Sequence, residues 1–164
     1  MPSQTVLARA RNLILEAEGF IEHMYLDTVS QITIGYGTML PTAASSTTIT
    51  MLNKATNQPA TVDEKVKAWN TLREFSPVNH KLNMKAEAFA DMTDLVINEL
   101  QAERLFNLKL GGFVSMLQKH YPKFEDFPED AQIAILDMAY NLGPRIYTVF
   151  KSFTKAVNDP RGPQ

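Results

Sequence analysis

The feature that most constrains this chain is residues 18–38, EGFIEHMYLDTVSQITIGYGT, where an acidic helix end gives way to a glycine-rich β segment. Before this segment, apolar residues recur at helical spacing, which predicts an amphipathic helix over residues 4–18 that ends at Gly19. Within it, turn-forming residues predict a turn over residues 27–30, and β-prone residues predict a strand over residues 31–36. The sequence therefore predicts a small antiparallel sheet directly after the first helix.

Three polar residues of this segment form a candidate catalytic set: Glu18, Asp27 and Thr33. Eight residues separate Glu18 from Asp27, and five separate Asp27 from Thr33. Cleavage of a glycosidic bond needs one carboxylic acid that protonates the leaving oxygen and a second carboxylate that activates water or attacks the sugar. Glu18 ends the predicted helix, where the negative end of the helix dipole is expected to favour the protonated carboxyl group of a general acid.

These residues resemble the signature of the bacteriophage-type lysozymes of glycoside hydrolase family 24. In that signature a Glu, eight residues, an Asp, five residues and a Thr precede a glycine-rich segment, which here is Gly35-Tyr36-Gly37. Residues 139–143, AYNLG, resemble the phrase that ends a helix beside the family's cleft. The resemblance covers about residues 5–157, firmly at the two motifs and loosely between them.

The resemblance implies an inverting muramidase that hydrolyses the β-1,4 bond between N-acetylmuramic acid and N-acetylglucosamine of bacterial peptidoglycan. Glu18 would be the proton donor. Asp27 would activate or orient water and stabilise positive charge at the anomeric carbon, and Thr33 would hold that water. The expected substrate-binding residues are Gly37, Met39, Tyr140 and Asn141.

For the fold, the resemblance implies an α+β, predominantly helical, two-lobed lysozyme-like architecture with a small antiparallel sheet in the N-terminal lobe. We expect one catalytic domain over residues 1–164, with the N-lobe at about residues 19–76 and the C-lobe at about residues 94–164 plus the helix 4–18. Family members continue through more helices, so the C-terminal part is expected to be truncated. Such a chain would be less active, less stable or dependent on a partner.

Residues 41–60 are rich in Ser and Thr and aperiodic, which predicts an exposed loop or a lineage-specific insertion. Thr61 and Glu64 then form a capping box, and the apolar stripe behind it predicts a helix that ends near Ser76-Pro77. Trp69 lies on that stripe, so we expect a core residue rather than one that stacks on a sugar.

The second half of the chain is predicted to be a series of helices. A weak helical piece is expected over residues 84–90. Thr93 is expected to cap a longer helix that ends at Gly111-Gly112, and the resemblance makes it the helix that joins the two lobes. Further helices are predicted over residues 113–121, 128–142 and 146–157.

Composition excludes several classes of function. With 164 residues, 45% hydrophobic content and a net charge of −2, the chain is expected to be a soluble globular protein without an electrostatic basis for binding nucleic acid. It contains no cysteine, which excludes a disulfide and a Cys-based zinc site. His23, His80 and His120 share no metal-ligand spacing, so we expect no metal ion and no cofactor.

No apolar stretch approaches the length of a membrane span, and residues 1–19 lack the apolar core of a signal peptide. We therefore expect a protein that does not insert into membranes. We also expect a monomer, and the resemblance implies that its partner is bacterial peptidoglycan. It would be made in the cytoplasm and act in the periplasm or on the cell wall after delivery by a holin, a secretion machine or a larger parent protein.

Other functions remain open at this stage. A phage endolysin and a toxin injected into a rival cell can share these residues; the toxin, slightly favoured by the polar insertion and acidic balance, would require an immunity protein. An alternative from another class is a catalytically idle peptidoglycan-binding or structural domain of a larger phage or secretion-system protein, against which the intact acids weigh. A lytic transglycosylase needs no water-activating pair, so Asp27 and Thr33 disfavour it.

Overall fold

The fold is α+β and predominantly helical, and its sheet is small and antiparallel, as the sequence predicts. The structure is a computed structural model that describes residues 1–79 and 84–158. The described α-helices are α1 (Gln4–Glu18), α2 (Ala43–Thr47), α3 (Val62–Asn79), α4 (Glu99–His120), α5 (Glu129–Leu142), α6 (Ile146–Val149) and α7 (Lys151–Val157). The described strands are β1 (Ile21–Leu26), β2 (Ile32–Gly35), β3 (Thr38–Met39), β4 (Leu52–Asn53), β5 (Gln58–Pro59) and β6 (Leu95–Val96). Short 3-10 helices occupy Ala86–Phe89, Phe124–Asp126 and Gly143–Arg145.

Two units divide the chain, and the sheet lies in one of them. The sheet unit is Glu18–Phe106, and the helical unit is Met1–Ala17 together with Asn107–Gln164. The division falls inside α1 and inside α4. Residues 94–106 belong to the sheet unit, whereas the sequence predicts them in the C-lobe.

Helix α1 has the predicted bounds because its local signals agree. Val6, Ala10 and Ile14 are buried at a four-residue spacing along one side, which is the apolar stripe that the sequence predicts. Gly19 follows with φ of +70°, a left-handed conformation that terminates helices and that glycine adopts without steric strain. In the helical unit, Arg9 of α1 also pairs with Asp130 of α5 at 2.8 Å.

The sheet has the strand order β3-β2-β1-β6-β4-β5, and neighbouring strands are antiparallel. All four residues of β2 are buried, as expected for a strand rich in β-branched residues near the centre of a sheet. A β-bulge interrupts the pairing of β1 with β2 between Ile21 and Tyr25. The predicted turn over residues 27–30 joins these two strands and is confirmed.

Each unit buries its own apolar residues. In the sheet unit, the largest fully buried side chains are Met24, Ile34, Met51, Leu72, Ile97 and Phe106. In the helical unit, they are Ile14, Leu117, Tyr121, Phe124, Leu136 and Ile146. In the part of the chain that the structure describes, no helix is both long enough and apolar enough to span a membrane.

The prediction of an exposed loop over residues 41–60 is wrong. Helix α2 and strands β4 and β5 lie within this range, and Ile49 and Met51 are 5% and 0% exposed. The buried Ser46 hydroxyl donates to the carbonyl of Ala43 at 2.7 Å, so even a polar residue of this segment is satisfied inside the fold. A hydroxyl-rich sequence therefore folds here because its few apolar residues are buried and its hydroxyls bond to nearby backbone.

Helix α3 begins at the predicted capping box. The Thr61 hydroxyl accepts a hydrogen bond from the Glu64 backbone N–H at 3.2 Å, and the Glu64 carboxylate accepts one from the Thr61 N–H at 2.7 Å. The bond from the Thr61 N–H, together with bonds that the carboxylate accepts from the Thr61 hydroxyl at 2.9 Å and the Asn53 amide at 2.9 Å, lowers the pKa of Glu64. The helix continues through Pro77 to Asn79, beyond the predicted end. Trp69 is half-buried rather than fully in the core.

The predicted start of the long helix at Thr93 is wrong, because Leu95–Val96 forms strand β6 instead. Val96 pairs with His23 of β1 and with Leu52 of β4, partners that no local pattern could reveal. Helix α4 then begins after Asn98, whose side chain accepts a hydrogen bond from the backbone N–H of Gln101 at 2.9 Å. The Thr93 hydroxyl is buried and makes no hydrogen bond to any described residue.

The predicted end of this helix at Gly111-Gly112 is also wrong, since α4 runs on to His120 and absorbs the helix expected over residues 113–121. Two glycines in a helix interior cost about 1 kcal/mol each relative to alanine. Leu110, Val114 and Leu117 on either side are buried, and burying such side chains stabilises by about 1.5–3 kcal/mol each. Packing therefore outweighs propensity, and the helix continues.

Helix α5 ends at Leu142 before Gly143, which has φ of +56°, as the stop signals predict. The helix predicted over residues 146–157 is interrupted, however. Phe150 has φ −107° and ψ +52°, so the chain forms α6 and α7 on either side of it. The weak piece predicted over residues 84–90 is a short 3-10 helix.

Candidate active site

A row of side chains crosses three strands of the sheet unit. Tyr25 of β1 is directly opposite Thr33 of β2, and Thr33 is directly opposite Met39 of β3. Residues opposite one another in an antiparallel pair point to the same face, so these three side chains share one face of the sheet. Thr33 is 3% exposed and Met39 is 55% exposed, so the row runs from a buried hydroxyl to an exposed thioether.

Asp27 is fixed by the turn that joins β1 to β2. Its Oδ1 atom accepts hydrogen bonds from the backbone N–H groups of Val29 at 2.9 Å and Gln31 at 2.8 Å. Its own N–H donates to the carbonyl of Gln31 at 2.9 Å. Among the described residues, no donor binds the other carboxylate oxygen, Oδ2. One oxygen of Asp27 therefore holds the turn, and the other remains for a ligand or water.

Glu18 is the last residue of α1 and the first residue of the sheet unit. Its side chain is half-buried. The left-handed Gly19 turns the chain immediately after it and leads into β1. The end of a regular helix followed by a fixed turn gives Glu18 a defined backbone position relative to the first strand.

The Tyr25 phenol is affected by the charges of both acids. Burial, the Glu18 charge and the Asp27 charge, in that order of size, raise the pKa of the Tyr25 phenol from 10.0 to about 12. Both carboxylates must therefore lie close enough to the phenol to disfavour its ionised form. The structure thus brings Glu18 and Asp27 to one phenol that is itself paired with Thr33.

Tyr25 is the residue that sequence reasoning undervalued. The sequence holds one signal that could have identified it: Tyr25 lies two residues before Asp27 in a β-prone segment. Alternation along a strand places such a residue on the same face as the turn acid, although the strand pairing that joins it to Thr33 becomes visible only in the fold.

The Thr33 hydroxyl donates to the carbonyl of Gln31 at 3.3 Å. Its oxygen can still accept a hydrogen bond, which is the role that a residue holding a water needs. Gln31 thus receives hydrogen bonds from both Asp27 and Thr33 at a single carbonyl. The turn acid and the strand hydroxyl are therefore linked through one backbone group.

The Gly35-Tyr36-Gly37 segment has a structural explanation. A Cβ atom at Gly35 would lie 3.1 Å from the Cβ of Ala102, and Gly35 has φ of +67°. Gly37 also has φ of +70°. The buried Tyr36 donates its hydroxyl proton to the Glu99 carboxylate at 2.7 Å. This segment packs the sheet against the start of α4, and the substrate-binding role of Gly37 stays a prediction.

Tyr140 and Asn141 belong to the helical unit, at the end of α5. The Tyr140 ring is 4% exposed; the Lys109 ammonium lies 3.8 Å from its centroid, and Phe113 packs against it edge to face at 5.8 Å. Asn141 is exposed, and its amide donates to the carbonyl of Asp137 at 3.0 Å. Tyr140 thus presents little surface to a ligand, whereas Asn141 can bind one.

The described residues contain no group of three or more His, Asp or Glu side chains that could hold a metal ion. His23 is buried and its Nε2 atom lies 2.9 Å from the carbonyl of Ala86, while His120 stacks on Tyr147 at 3.8 Å. His80 lies outside the described residues. The two described histidines therefore have packing partners rather than ligand geometry.

In chemical terms, the sheet unit contains a phenol and a hydroxyl on one sheet face and two carboxylates whose charges act on that phenol. Such a set can donate a proton, accept a proton and hold a water molecule without a cofactor. Comparison with known proteins assigns no family: no protein-family model matches the chain, and no curated protein matches it.

Proposed function

We propose that this chain is a lysozyme-like muramidase of the bacteriophage type, which hydrolyses the β-1,4 bond between N-acetylmuramic acid and N-acetylglucosamine in peptidoglycan. The observation that carries the proposal is that Glu18 and Asp27 both act on the Tyr25 phenol, which is paired with Thr33. Each of the three residues of the signature is thus related to the Tyr25 side chain, Thr33 by strand pairing and the two acids by their charge. Their spacing in the sequence alone does not require this.

In the proposed reaction, Glu18 donates its proton to the leaving O4 atom as the bond from the anomeric carbon to O4 breaks. A water oxygen forms the new bond to the anomeric carbon, and its proton passes to Asp27. The Oδ1 atom of Asp27 is held by two backbone N–H groups, so Oδ2 is the oxygen suited to orient the water. Thr33 accepts a hydrogen bond from the same water.

The first prediction concerns Glu18→Gln, which keeps the shape of the side chain but removes the acid. We expect the rate of reducing-end release from purified peptidoglycan to fall about 10²–10⁴-fold, the usual contribution of a general acid. Glu16→Gln is the matched control, because Glu16 is an exposed carboxylate on the same helix, and it should retain the wild-type rate. Circular dichroism and thermal unfolding of both variants report any loss of folding.

Three results would count against the proposal. A folded Glu18→Gln variant that keeps more than about a tenth of the wild-type rate would mean that another acid protonates the leaving group. Products that carry a 1,6-anhydro end, detected by mass spectrometry, would indicate a lytic transglycosylase. Wild-type protein that sediments with peptidoglycan but releases no reducing ends would indicate a binding domain.

The second prediction is stereochemical. If Asp27 and Thr33 hold water on the face of the sugar opposite Glu18, displacement occurs in one step and the product is the α-anomer. The carboxyl groups of inverting enzymes stand about 6.5–9.5 Å apart, which leaves room for that water. Proton NMR of the first products from a defined muropeptide oligomer distinguishes the anomers before mutarotation. A β-anomer would require a covalent intermediate at Asp27 or participation by the substrate's acetamido group.

A further inference from the structure

We propose that Tyr25 is an additional substrate-binding residue, whose phenolic O–H donates a hydrogen bond to a saccharide bound beside Thr33 and Asp27. This inference rests on the proposed function and adds a residue that the catalytic signature does not contain. The acceptor would be a neutral sugar oxygen, such as a hydroxyl or an acetamido carbonyl.

The first argument is the position of Tyr25 in the sheet. The residue lies in β1, opposite Thr33 and two residues before the turn that carries Asp27. Its side chain is half-buried, which fixes the ring against the sheet without enclosing all of it. A ligand that contacts Thr33 and Asp27 would therefore pass beside the Tyr25 side chain.

The second argument is hydrogen-bonding capacity. No acceptor among the described residues takes the Tyr25 O–H, and this oxygen is not among the buried polar atoms that lack a partner. Polar groups in folded proteins are almost always satisfied, by protein, solvent or ligand. Two other tyrosine hydroxyls do have acceptors within the protein. Tyr36 donates to the Glu99 carboxylate, and Tyr147 donates to the carbonyl of Met116 at 3.1 Å. The Tyr25 hydroxyl therefore remains for solvent or substrate.

The third argument is the charge state of the phenol. Burial and the two carboxylates raise its pKa to about 12, so the hydroxyl keeps its proton throughout the range in which an enzyme of this kind works. A phenol with this property is a poor base. It is instead a donor that stays protonated, which suits recognition of an uncharged sugar oxygen.

The sugar-binding test uses the inactive Glu18→Gln variant with tyrosine labelled with ¹³C at Cζ, so that substrate is bound without being cleaved. Addition of a peptidoglycan-derived muropeptide should shift the Tyr25 Cζ resonance. Tyr147 is the matched control, because burial also raises its pKa to about 12 but Tyr121, rather than a carboxylate, adds to the effect. Its resonance should not move. A muropeptide that binds without shifting the Tyr25 resonance would overturn the inference.

The functional test is Tyr25→Phe, which removes only the hydroxyl. Loss of one hydrogen bond to a neutral acceptor should lower kcat/KM about tenfold, with the larger part in KM if the bond forms in the bound ground state. Tyr147→Phe should leave kcat/KM unchanged. If wild-type protein cleaves peptidoglycan and folded Tyr25→Phe does so equally well, the inference fails while the proposed function stands.

The two proposals can also be separated in the opposite direction. If wild-type protein releases no reducing ends, the muramidase proposal fails, and the binding experiment on the labelled protein still decides whether Tyr25 contacts a saccharide. Because that experiment observes Tyr25 itself, it gives an answer even if the Tyr25→Phe variant does not fold.

Discussion

The two turns of residues 18–38 are held in different ways. In the turn from β1 to β2, Asp27 uses Oδ1 to bind two backbone N–H groups and keeps Oδ2 clear of described donors. In the turn from β2 to β3, Gly35 packs against Ala102 and Tyr36 bonds to Glu99. In the second turn, Gly35 and the Tyr36 hydroxyl both have structural partners. In the first turn, the Oδ2 atom of Asp27 has no donor among the described residues.

This difference suggests that one sequence signature can combine residues needed for the fold with residues needed for the chemistry. The glycines of the second turn report a fold, because positive φ and close approach to α4 require them. Asp27 is the candidate for a chemical role, because the turn uses only its Oδ1 atom. Substitutions should separate these roles: changes in the first turn should act on activity, and changes in the second turn should act on stability.

Within the two turns, the largest expected effect is at Asp27. Asp27→Asn keeps the Oδ1 acceptor and the turn but removes the charge, so the rate of peptidoglycan hydrolysis should fall about 10²-fold or more if Asp27 acts as the base. The free energy of unfolding should change by less than about 1 kcal/mol, because both backbone hydrogen bonds to the side chain remain possible. Reducing-end release and urea unfolding measure the two quantities.

Asp27→Ala is the companion variant, because it removes both the charge and the turn acceptor. It should lose the same activity as Asp27→Asn and in addition about 1–2 kcal/mol of stability, since two N–H groups lose their partner. Equal stability of the Asn and Ala variants would show that the hydrogen bonds at Oδ1 do not hold the turn. Unchanged hydrolysis by Asp27→Asn would remove Asp27 from the mechanism.

The next largest effect is at Gly35, where an added Cβ would meet Ala102 Cβ at 3.1 Å and Ile97 Cδ1 at 3.2 Å. Gly35→Ala should reduce the free energy of unfolding by about 2–4 kcal/mol, from positive φ and from overpacking together. Gly19→Ala is the matched control, because Gly19 has φ of +70° but no atom within 4 Å of the added Cβ. It should lose only about 1–2 kcal/mol, the conformational part alone.

The difference between these two variants in denaturant unfolding isolates the packing of β2 against α4. If Gly35→Ala and Gly19→Ala lose equal stability, the second turn is constrained by backbone conformation alone. Close packing against Ala102 and Ile97 would then not be a reason for glycine at position 35.

Much of the fold could be predicted where the signals are local. Helix α1 and the capping box of Thr61 and Glu64 depend on residues within a few positions of one another, and both are confirmed. Strand β6 could not be predicted, because Leu95–Val96 becomes a strand through partners about 40 and 70 residues away. The continuation of α4 through Gly111-Gly112 likewise depends on burial that only the folded unit provides.

The candidate site shows the same division between local and non-local information. Motif spacing selected Glu18, Asp27 and Thr33, but it could not show that Tyr25 is paired with Thr33, because this follows from strand register. The substrate-binding role expected for Gly37 stays a prediction; the structure gives this residue a turn conformation with φ of +70°.

The smallest expected effect is at Tyr36, and it tests whether the second turn is purely structural. Tyr36→Phe removes the hydroxyl that donates to Glu99 at 2.7 Å while keeping the ring, which packs against Phe20 at 5.6 Å. Hydrogen bonds to charged groups contribute about 1.5–3 kcal/mol, but Glu99 is exposed and water can replace the lost donor, so we expect a loss of only about 1 kcal/mol. Thermal unfolding measures this loss, and hydrolysis measured well below the melting temperature should stay within about twofold of wild type. A tenfold fall in the rate of the folded variant would place the second turn in the chemistry as well, and the separation between the two turns would no longer hold.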